Sequence, residues 1–390
     1  MEFAPTAKAD DSWIGRKESR VSGSGRALQD LLAPAGLRLN GDAPWDPRVH
    51  DERFYGRVLA NGSLGLGESY VDGWWDCEDL ETFFSRLLRA GLAQKVKVWR
   101  DLPRIVLARL TNQGRRSRAF EIGERHYDLG NDLYETMLDR RMTYSCGYWA
   151  RARTLDEAQE AKLDLICRKA GLKPGMRVLD IGCGWGSFAA FAAERYGVSA
   201  VGITVSKEQI ELGRRRTAGL PVELLLEDYR DLDGTFDAIV SVGMFEHVGH
   251  RNYRTFFDVA RRCLSPGGLF VLHTIGTRLS TLSCDPWIEK YIFPNSLVPS
   301  MAQITAALEG RFVIEDWQNI GPDYEPTLAA WFSNFRAGWD RLRVRYTDRF
   351  YRLWSYYLRG CAGSFRARYN DVWQLVLSRD GLQGGYEAVR

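Results

Sequence analysis

The sequence predicts an α/β protein in which a parallel sheet, covered by helices on both faces, follows a smaller, mainly helical N-terminal domain. Three observations carry this expectation. Beyond Lys173, short β-branched runs alternate with helical stretches, the pattern of a parallel sheet with helices on each side. Gly182, Gly184 and Gly186 stand just after the first of those runs and just before a helical stretch, where open α/β sheets bind ligands. Upstream, Leu80, Phe83, Phe84, Leu87, Leu88, Leu92, Val96 and Trp99 recur at three- and four-residue steps, an amphipathic helix outside the alternating region.

The 390 residues, 45% hydrophobic and 26% charged, have room for two or three globular domains. Residues 1–25, with few apolar positions, read as a mobile tail. The text from Gly56 to Gly73 is Gly-rich and aromatic, and the apolar stripe follows it. Pro103 interrupts the stripe. Asn112–Arg118 is polar, basic and contains glycine, the composition of a linker. A boundary near residue 120 separates an N-terminal lipid- or membrane-associating domain, 26–120, from a catalytic domain, 121–390. In the second domain Arg177–Asp180, Ser199–Thr204, Val222–Leu226, Ala238–Val242 and Leu269–His273 read as strands. Phe188–Tyr196, Lys207–Thr217 and Tyr253–Cys263 read as the helices between them, and Pro266-Gly267-Gly268 as a turn into the last strand. From Trp331 to Tyr357, the residues Trp331, Phe335, Trp339, Leu342, Tyr346, Phe350, Leu353 and Tyr357 form a further helical stripe, expected to pack on the sheet.

Composition excludes several classes of function. No apolar run approaches the roughly 18–20 residues needed to cross a bilayer. Met1–Asp11 carries neither a secretory nor an import pattern, so the cytosol is the expected compartment. Seven cysteines, none in a C-x-x-C pair, suit reduced thiols better than disulfides or zinc. Net charge is only +3, yet Arg86–Arg118 holds ten Lys/Arg against Asp101, and Arg336–Arg368 nine Arg against Asp340 and Asp348. Such clusters attract a polyanion, nucleic acid or an anionic membrane alike, or are solvated helix faces.

The chemistry centres on Val178-Leu179-Asp180-Ile181-Gly182-Cys183-Gly184-Trp185-Gly186. The spacing G-x-G-x-G, with an acid two residues upstream, differs from the G-x-G-x-x-G of a dinucleotide fold. Glycines without Cβ let the backbone approach a ligand, and Asp180 can hold a cationic amino group. A zwitterionic amino acid attached to a nucleoside fits better than a pyrophosphate. S-adenosyl-L-methionine is such a ligand, and the fold becomes a Rossmann-like class I SAM-dependent methyltransferase.

Several further words resemble one family, the cyclopropane-fatty-acyl-phospholipid synthases and their relatives that cyclopropanate mycolic acids. They are His126-Tyr127-Asp128-Leu129-Gly130-Asn131-Asp132, Met142-Thr143-Tyr144-Ser145-Cys146, Gly202-Ile203-Thr204-Val205-Ser206-Lys207-Glu208-Gln209, Ser241-Val242-Gly243-Met244-Phe245-Glu246-His247-Val248-Gly249, His273-Thr274-Ile275-Gly276, Tyr291-Ile292-Phe293-Pro294-Asn295 and Cys361-Ala362-Gly363-Ser364-Phe365-Arg366. The resemblance covers about residues 50–390, and Gly56–Leu80 is similar to the extra N-terminal domain of the phospholipid-acting members.

The resemblance implies transfer of a methylene group from S-adenosyl-L-methionine across cis double bonds of phospholipid acyl chains. An alkene is a weak nucleophile, so it must lie in line with the sulfonium methyl in a site that excludes water. The resulting carbocation needs aromatic faces, of which 48 are available, and a base to remove a proton for ring closure. By resemblance the base is bicarbonate, held by Glu246, His273, Tyr324 and backbone groups of Cys146 and Ile275. The same resemblance assigns the methyl donor to Tyr144, Ser145, Asp180, Gly182, Gly184, Thr204, Gln209, Glu227 and Asp228. Thr204 and Gln209 stand where many methyltransferases carry a ribose-binding acid, and Asp228 is placed for the adenine amino group. Cys361, in an Arg-rich helix, is a candidate nucleophile by pKa, but an alkene offers a thiolate nothing to attack, so a packing or channel-lining role is expected. Glu246, His247 and His250 match no common zinc spacing, and no metal is expected. The expected partners are unsaturated phospholipids and an anionic membrane surface, at the inner face of which the protein would associate peripherally. A homodimer is left open, and no nucleic acid is expected. The rival readings are methylation of an unsaturated lipid without ring closure, and a nucleic-acid-binding methyltransferase suggested only by the basic clusters.

Overall fold

The computed structural model describes residues 23–92 and 130–390. The first of these stretches wraps three helices, α1 (Gly23–Leu32), α2 (Arg53–Val71) and α3 (Leu80–Arg89), around one apolar cluster, with a short antiparallel ribbon of β1 (Arg48–Val49) and β2 (Trp75–Asp76). The α3 helix starts where its residues say it should: the Asp79 carboxylate accepts the Thr82 N–H at 3.0 Å, and Leu80 and Phe83 turn inward. The Gly-rich aromatic text proves to be the 19-residue α2, kinked at Gly62, whose φ of 57° and ψ of −131° suit only a residue without Cβ. The chain is helical from Gly23, so the tail expected through residue 25 is shorter at that end, and Gly25 and Leu28 are buried. The remainder of that tail, Val96 and Trp99 of the stripe, the Asn112–Arg118 linker, the boundary near 120 and the word His126–Leu129 lie outside the described residues.

After α4 (Asn131–Met137) and α5 (Leu155–Lys169), the sheet builds from β3 (Arg177–Ile181), β4 (Ser199–Thr204), β5 (Val222–Leu226), β6 (Phe236–Val242) and β7 (Leu264–Thr277), all parallel. The helices between them are α6 (Ser187–Tyr196), α7 (Lys207–Arg216) and α8 (Tyr253–Cys263), followed after β7 by α9 (Pro286–Tyr291) and α10 (Met301–Leu308). Alternation along the strands fills both faces: Val178, Val240 and Val271 pack against Ile166, Phe188 and Phe191, while Leu179, Ile239 and Phe270 pack against Phe256 and Phe257. The Pro266-Gly267-Gly268 turn interrupts β7 rather than preceding it, since Leu264 already pairs with Phe236. Two strands were not foreseen. β8 (Val313–Asn319) and β9 (Asn370–Ser378) complete the order β5-β4-β3-β6-β7-β9-β8, and β9 runs antiparallel to both neighbours. The sheet is therefore mixed, with the antiparallel pair at one edge.

The stripe expected as one helix over Trp331–Tyr357 is three: α11 (Tyr324–Ala337), α12 (Trp339–Leu342) and α13 (Asp348–Arg366). The last of these packs against the N-terminal helices rather than the sheet. Along one face of α13, Arg349 pairs with Asp72, Arg352 with Asp76 at 2.7 Å, Arg359 with both oxygens of Glu81 at 2.8 and 2.6 Å, and Arg366 with Glu325 at 2.8 Å and Thr82 at 2.9 Å. Part of the second cationic segment is thus an intramolecular seam, in which acids of the N-terminal part answer Arg349, Arg352 and Arg359, while Glu325 of α11 answers Arg366. Where the seam is tightest, a Cβ on Gly363 would lie 2.5 Å from the Glu81 carbonyl oxygen and 2.7 Å from the Phe84 Cβ. Gly363→Ala should therefore force α13 off α3 and cost roughly 1–3 kcal/mol. Gly56→Ala in α2, where a Cβ meets nothing within 4 Å, serves as the control and should be neutral or slightly stabilising. Urea midpoints check the pair, and equal midpoints would show that the seam tolerates separation.

Candidate active site

The glycine loop is shaped by the sheet it leaves. After β3, the N–H groups of Gly182 and Cys183 both donate to the Ile203 carbonyl at 3.0 and 2.9 Å, which turns the chain toward β4 before α6 begins. Trp185 donates from Nε1 to Asn131 Oδ1 at 3.0 Å, and Ser187 donates to the Arg141 carbonyl at 2.7 Å, so α4 and the segment after it close over the loop. At Gly184, φ is +55° and the nearest atom to an added Cβ is Gln209 Nε2 at 4.0 Å, so the loop faces open space there. That space is a cavity of about 160 Å³ at the carboxyl ends of the parallel strands. Tyr144, Ser145, Asp180, Gly182, Gly184, Thr204, Gln209, Glu227 and Asp228 all line it.

Within this cavity the polar groups are already oriented. Thr204 donates its hydroxyl to Gln209 Oε1 at 2.8 Å, which leaves the Gln209 amide N–H groups for other acceptors. Asp228 accepts the Arg230 backbone N–H at 3.0 Å and its guanidinium at 2.8 Å, so this carboxylate is engaged by Arg230. Asp180 is 2% exposed, its Oδ1 is buried without a hydrogen-bond partner among the described residues, and burial pushes its pKa up to about 7 against the pull of Lys162. Lys162 is fully buried and its pKa is pushed down to about 8 by desolvation. Its ammonium donates to Ser145 Oγ at 2.6 Å, while Gln159 donates to the Ser145 carbonyl at 2.8 Å. Neither Lys162 nor Gln159 was expected at the site. Their signal was present: both sit among Ala158, Leu163 and Ile166, polar residues on the buried face of an amphipathic helix.

A second cavity, about 790 Å³, lies on the other side of the Tyr144–Cys146 segment. Its apolar lining comes largely from the N-terminal helices and α13, among them Leu28, Phe54, Leu66, Phe83, Leu87 and Tyr356. Cys146, Glu246, His273, Ile275, Tyr324 and Cys361 line it too, so the fold brings all six residues to one chamber. Tyr144, Ser145, Gly243 and His247 line both cavities and form the wall between them. Tyr144 donates or accepts a 2.8 Å hydrogen bond with Tyr357 across that wall. The His247 ring packs edge-on to Phe293, its centroid 5.7 Å away, and burial holds its pKa down at about 4.

The polar residues of the larger chamber are not equivalent. Glu246 Oε1 accepts the Ile275 N–H at 2.6 Å, Oε2 is buried with no partner among the described residues, and burial pushes the carboxyl up to about 7. The Ile275 N–H therefore reaches the chamber through Glu246. His273 is 2% exposed, its Nδ1 lies 3.2 Å from Gln374 Nε2, and burial with the nearby Lys162 and Lys169 charges holds it neutral. The Tyr324 ring packs on Phe365 at 4.6 Å. Cys146 is fully buried; the next residue, Gly147, donates its N–H to Thr327 Oγ1 at 3.1 Å, and a Cβ there would come within 3.0 Å of Ala158 Cβ. Cys361 is no activated thiol: the arginines of its helix face the seam, and burial pushes its pKa up to about 12. Among the described residues no group of His, Cys, Asp and Glu could hold a metal ion.

The family model for mycolic acid cyclopropane synthetase matches residues 114–375. Along 98% of its length the chain is 52% identical to the cyclopropane-fatty-acyl-phospholipid synthase of Escherichia coli K12, covering 97% of that protein. Among solved structures, the cyclopropane synthase MmaA2 from Mycobacterium tuberculosis aligns with a TM-score of 0.63 at 35% identity, covering 67% of this chain and 98% of that one. The mycolic acid cyclopropane synthase CmaA1, complexed with SAH and CTAB, aligns with the same TM-score at 36% identity over the same shares. With the family's model covering most of the chain and its glycine-loop sheet and paired cavities in place, this protein belongs to the mycolic acid cyclopropane synthetase family.

Proposed function

We propose that this chain is an S-adenosyl-L-methionine-dependent enzyme that adds a methylene group across cis double bonds of unsaturated phospholipid acyl chains, closing a cyclopropane ring. The observation that carries the proposal is the shared wall: a polar, glycine-lined cavity of about 160 Å³ and an apolar one of about 790 Å³ meet at Tyr144, Ser145, Gly243 and His247. A sulfonium methyl held in the first would point at an alkene held in the second. The alkene carbon attacks the methyl, the S–CH₃ bond breaks, and S-adenosylhomocysteine leaves. The positive charge passes to the neighbouring carbon, in a largely apolar chamber whose lining includes the aromatic rings of Tyr144, Phe293, Tyr324 and Tyr357. Loss of a proton from the delivered methyl, with formation of the third C–C bond, completes the ring.

Bicarbonate, when bound, would supply the base for that proton. The residues present fit it. Glu246 offers a buried, unpartnered Oε2 that can accept an O–H, while His273 and Tyr324 line the same chamber as donors to anionic oxygens. Cys146 lines that chamber from the segment that walls it, and Ile275 acts by fixing Glu246. In the smaller cavity Asp180 holds the methionyl ammonium, Tyr144, Ser145 and the glycines take the amino-acid portion, Thr204 and Gln209 the ribose, and Glu227 and Asp228 the ribose–adenine end.

The substrate lies in a bilayer, and no helix among the described residues is long and apolar enough to cross one. Reversible binding to an anionic membrane surface therefore brings the enzyme to its lipid. With Arg349, Arg352, Arg359 and Arg366 occupied in the seam, the basic stretch Arg86–Arg118 is the better candidate surface, each Lys or Arg contributing roughly 1 kcal/mol near anionic lipid. Most of that stretch, Arg115, Arg116 and Arg118 included, lies outside the described residues.

The direct test is incubation with S-adenosyl-L-methionine and vesicles of monounsaturated phosphatidylethanolamine and phosphatidylglycerol, followed by mass spectrometry and NMR of the fatty acids. Gain of one CH₂ with cyclopropane proton signals is expected. A methyl-branched product would overturn ring closure, and no donor-dependent product would overturn the substrate.

Two titrations test the roles of the acids. Asp180 must be ionised to hold an ammonium, and its pKa in the free chain is pushed up to about 7. The dissociation constant for S-adenosyl-L-methionine should rise by up to about tenfold per pH unit below 7 and level off above it. Asp180→Asn should bind weakly with a flat profile, and Gly184→Val should fill the cavity and abolish binding. Calorimetry that finds a flat profile in the native chain would remove Asp180 from the ammonium site.

For Glu246, the folded chain favours the protonated acid, so its contribution to stability is greatest below about pH 4.5 and is lost as the pH rises to about 7. Glu246→Gln keeps an oxygen for the Ile275 N–H and does not titrate. At pH 8 the variant should be more stable than the native chain by roughly 3 kcal/mol, the gain shrinking toward zero below pH 4.5. A stability difference independent of pH would show that Glu246 is not desolvated.

A further inference from the structure

We propose that Gln374 is a positioning residue that fixes the tautomer of His273, holding Nδ1 as an acceptor so that Nε2 presents its N–H to the larger chamber. The register of the sheet brings the two together. His273 on β7 and Gln374 on β9 are directly opposed in an antiparallel pair, so their side chains leave the same face side by side. Gln374 Nε2 lies 3.2 Å from His273 Nδ1, with Gln374 fully buried and His273 2% exposed.

The surroundings of Gln374 make its presence informative. It interrupts the apolar run Val372-Trp373-Gln374-Leu375-Val376-Leu377, every member of which is buried. A buried amide in the middle of a sheet costs about 1–3 kcal/mol when it lacks partners, and Gln374 Oε1 has none among the described residues. A leucine at this position would pack with its neighbours at no such cost. Among the described residues, the one hydrogen bond that the amide makes is to the ring of a residue that lines the chamber.

The direction of that bond decides what the chamber receives. With Nε2 of the amide donating, Nδ1 keeps its lone pair and the ring proton resides on Nε2. His273 then offers a donor beside Glu246, whose Oε2 is an acceptor, and the two together suit an oxyanion that also carries an O–H. With the amide reversed, the proton would sit on Nδ1, and a second lone pair would face the chamber next to the carboxylate. Burial keeps the ring neutral, so a single proton is available and its location matters. Gln374 touches neither the reacting atoms nor the anion, and acts only through His273.

This inference rests on the reading of Glu246, His273 and Tyr324 as an anion site, and the experiment separates the two. Long-range ¹⁵N–¹H correlation spectra of the full chain labelled with ¹⁵N-histidine, with His273 assigned by its loss in His273→Gln, report the tautomer without substrate or bicarbonate. The native chain should show the proton on Nε2. Gln374→Glu, which can only accept, should move it to Nδ1 or give the imidazolium, and Gln374→Leu should give a mixture. Both variants should lose roughly 10- to 100-fold in kcat, the range for groups that orient a functional histidine, with the KM for S-adenosyl-L-methionine held within about twofold. Both should also need more bicarbonate for half-maximal rate. A native proton on Nδ1, or a tautomer unmoved in Gln374→Glu, would overturn the proposal. If the tautomer shifts as described while native turnover ignores bicarbonate, the anion reading falls and the coupling of Gln374 to His273 stands.

Discussion

The hydrogen bond from Lys162 to Ser145 supports the wall on which both cavities depend. Its 2.6 Å length joins a fully buried ammonium on α5 to the segment Tyr144–Cys146, whose backbone Gln159 holds from one turn away. That segment has no strand or helix of its own, so its polar backbone is held between the cavities by these two side chains together with Asp139 on the Thr143 N–H and Thr327 on the Gly147 N–H. Burial of the ammonium is costly, and two acids reduce the cost: Asp139 and Asp180 both pull the Lys162 pKa upward against desolvation. The group that grips the wall and the group that can grip the donor are therefore electrostatically linked. A structural lysine is in this way part of the electrostatics of the donor site.

The second constraint is closure. The larger cavity is lined on one side by the N-terminal helices and on the other by the catalytic sheet and α13, so it exists only while the seam is shut. Apolar contact alone would allow the helices to slide. The arginines at 349, 352, 359 and 366 fall at helical intervals and meet Asp72, Asp76, Glu81 and Thr82 across the seam, which fixes register as well as proximity. The Arg359–Glu81 pair, with both side chains largely shielded, is bidentate and geometrically demanding, unlike an exposed ion pair of little energetic consequence. Packing supplies the affinity between the two parts, and the charges supply the alignment.

The parallel half of this fold was legible because its strands are short, β-branched and buried on both faces, and because the glycine spacing names its own place at a strand end. Of the positions that line the two cavities, Asp180, Gly182 and Gly184 were reached through the glycine loop and most others through matched words, of which 202–209, 241–249 and 273–276 fall where β4, β6 and β7 reach the carboxyl edge. What escaped has physical reasons. β8 reads Val-Ile-Glu-Asp-Trp-Gln-Asn, with acids and amides at an edge where one side is open, so its pattern is that of a loop. The β9 run follows an Arg-rich helix without the strand–helix alternation that exposed the others. In α2 four glycines concealed a helix because tertiary burial, rather than intrinsic preference, makes it. A count of arginines in 336–368 could not show that acids from residues 72–81 answer them.

The titratable groups of the two cavities share one property. Burial moves Asp180 and Glu246 up to about 7, Lys162 down to about 8 and His247 down to about 4, so each is displaced toward its neutral form. In the larger chamber this limits the anionic groups that could trap an alkyl cation, whereas Asp180, in the other cavity, ionises when an ammonium binds it. A bare carboxylate in contact with the cation would form an ester, and a free thiolate a thioether, whereas ring faces stabilise charge without forming a bond. Cys361 and Cys146, held as thiols by burial, are silent for the same reason. The chamber therefore keeps its thiols protonated and its histidine neutral and leaves positive charge to its aromatic walls, which is why the proposed mechanism assigns proton removal to a separate base held by hydrogen bonds rather than to a side chain.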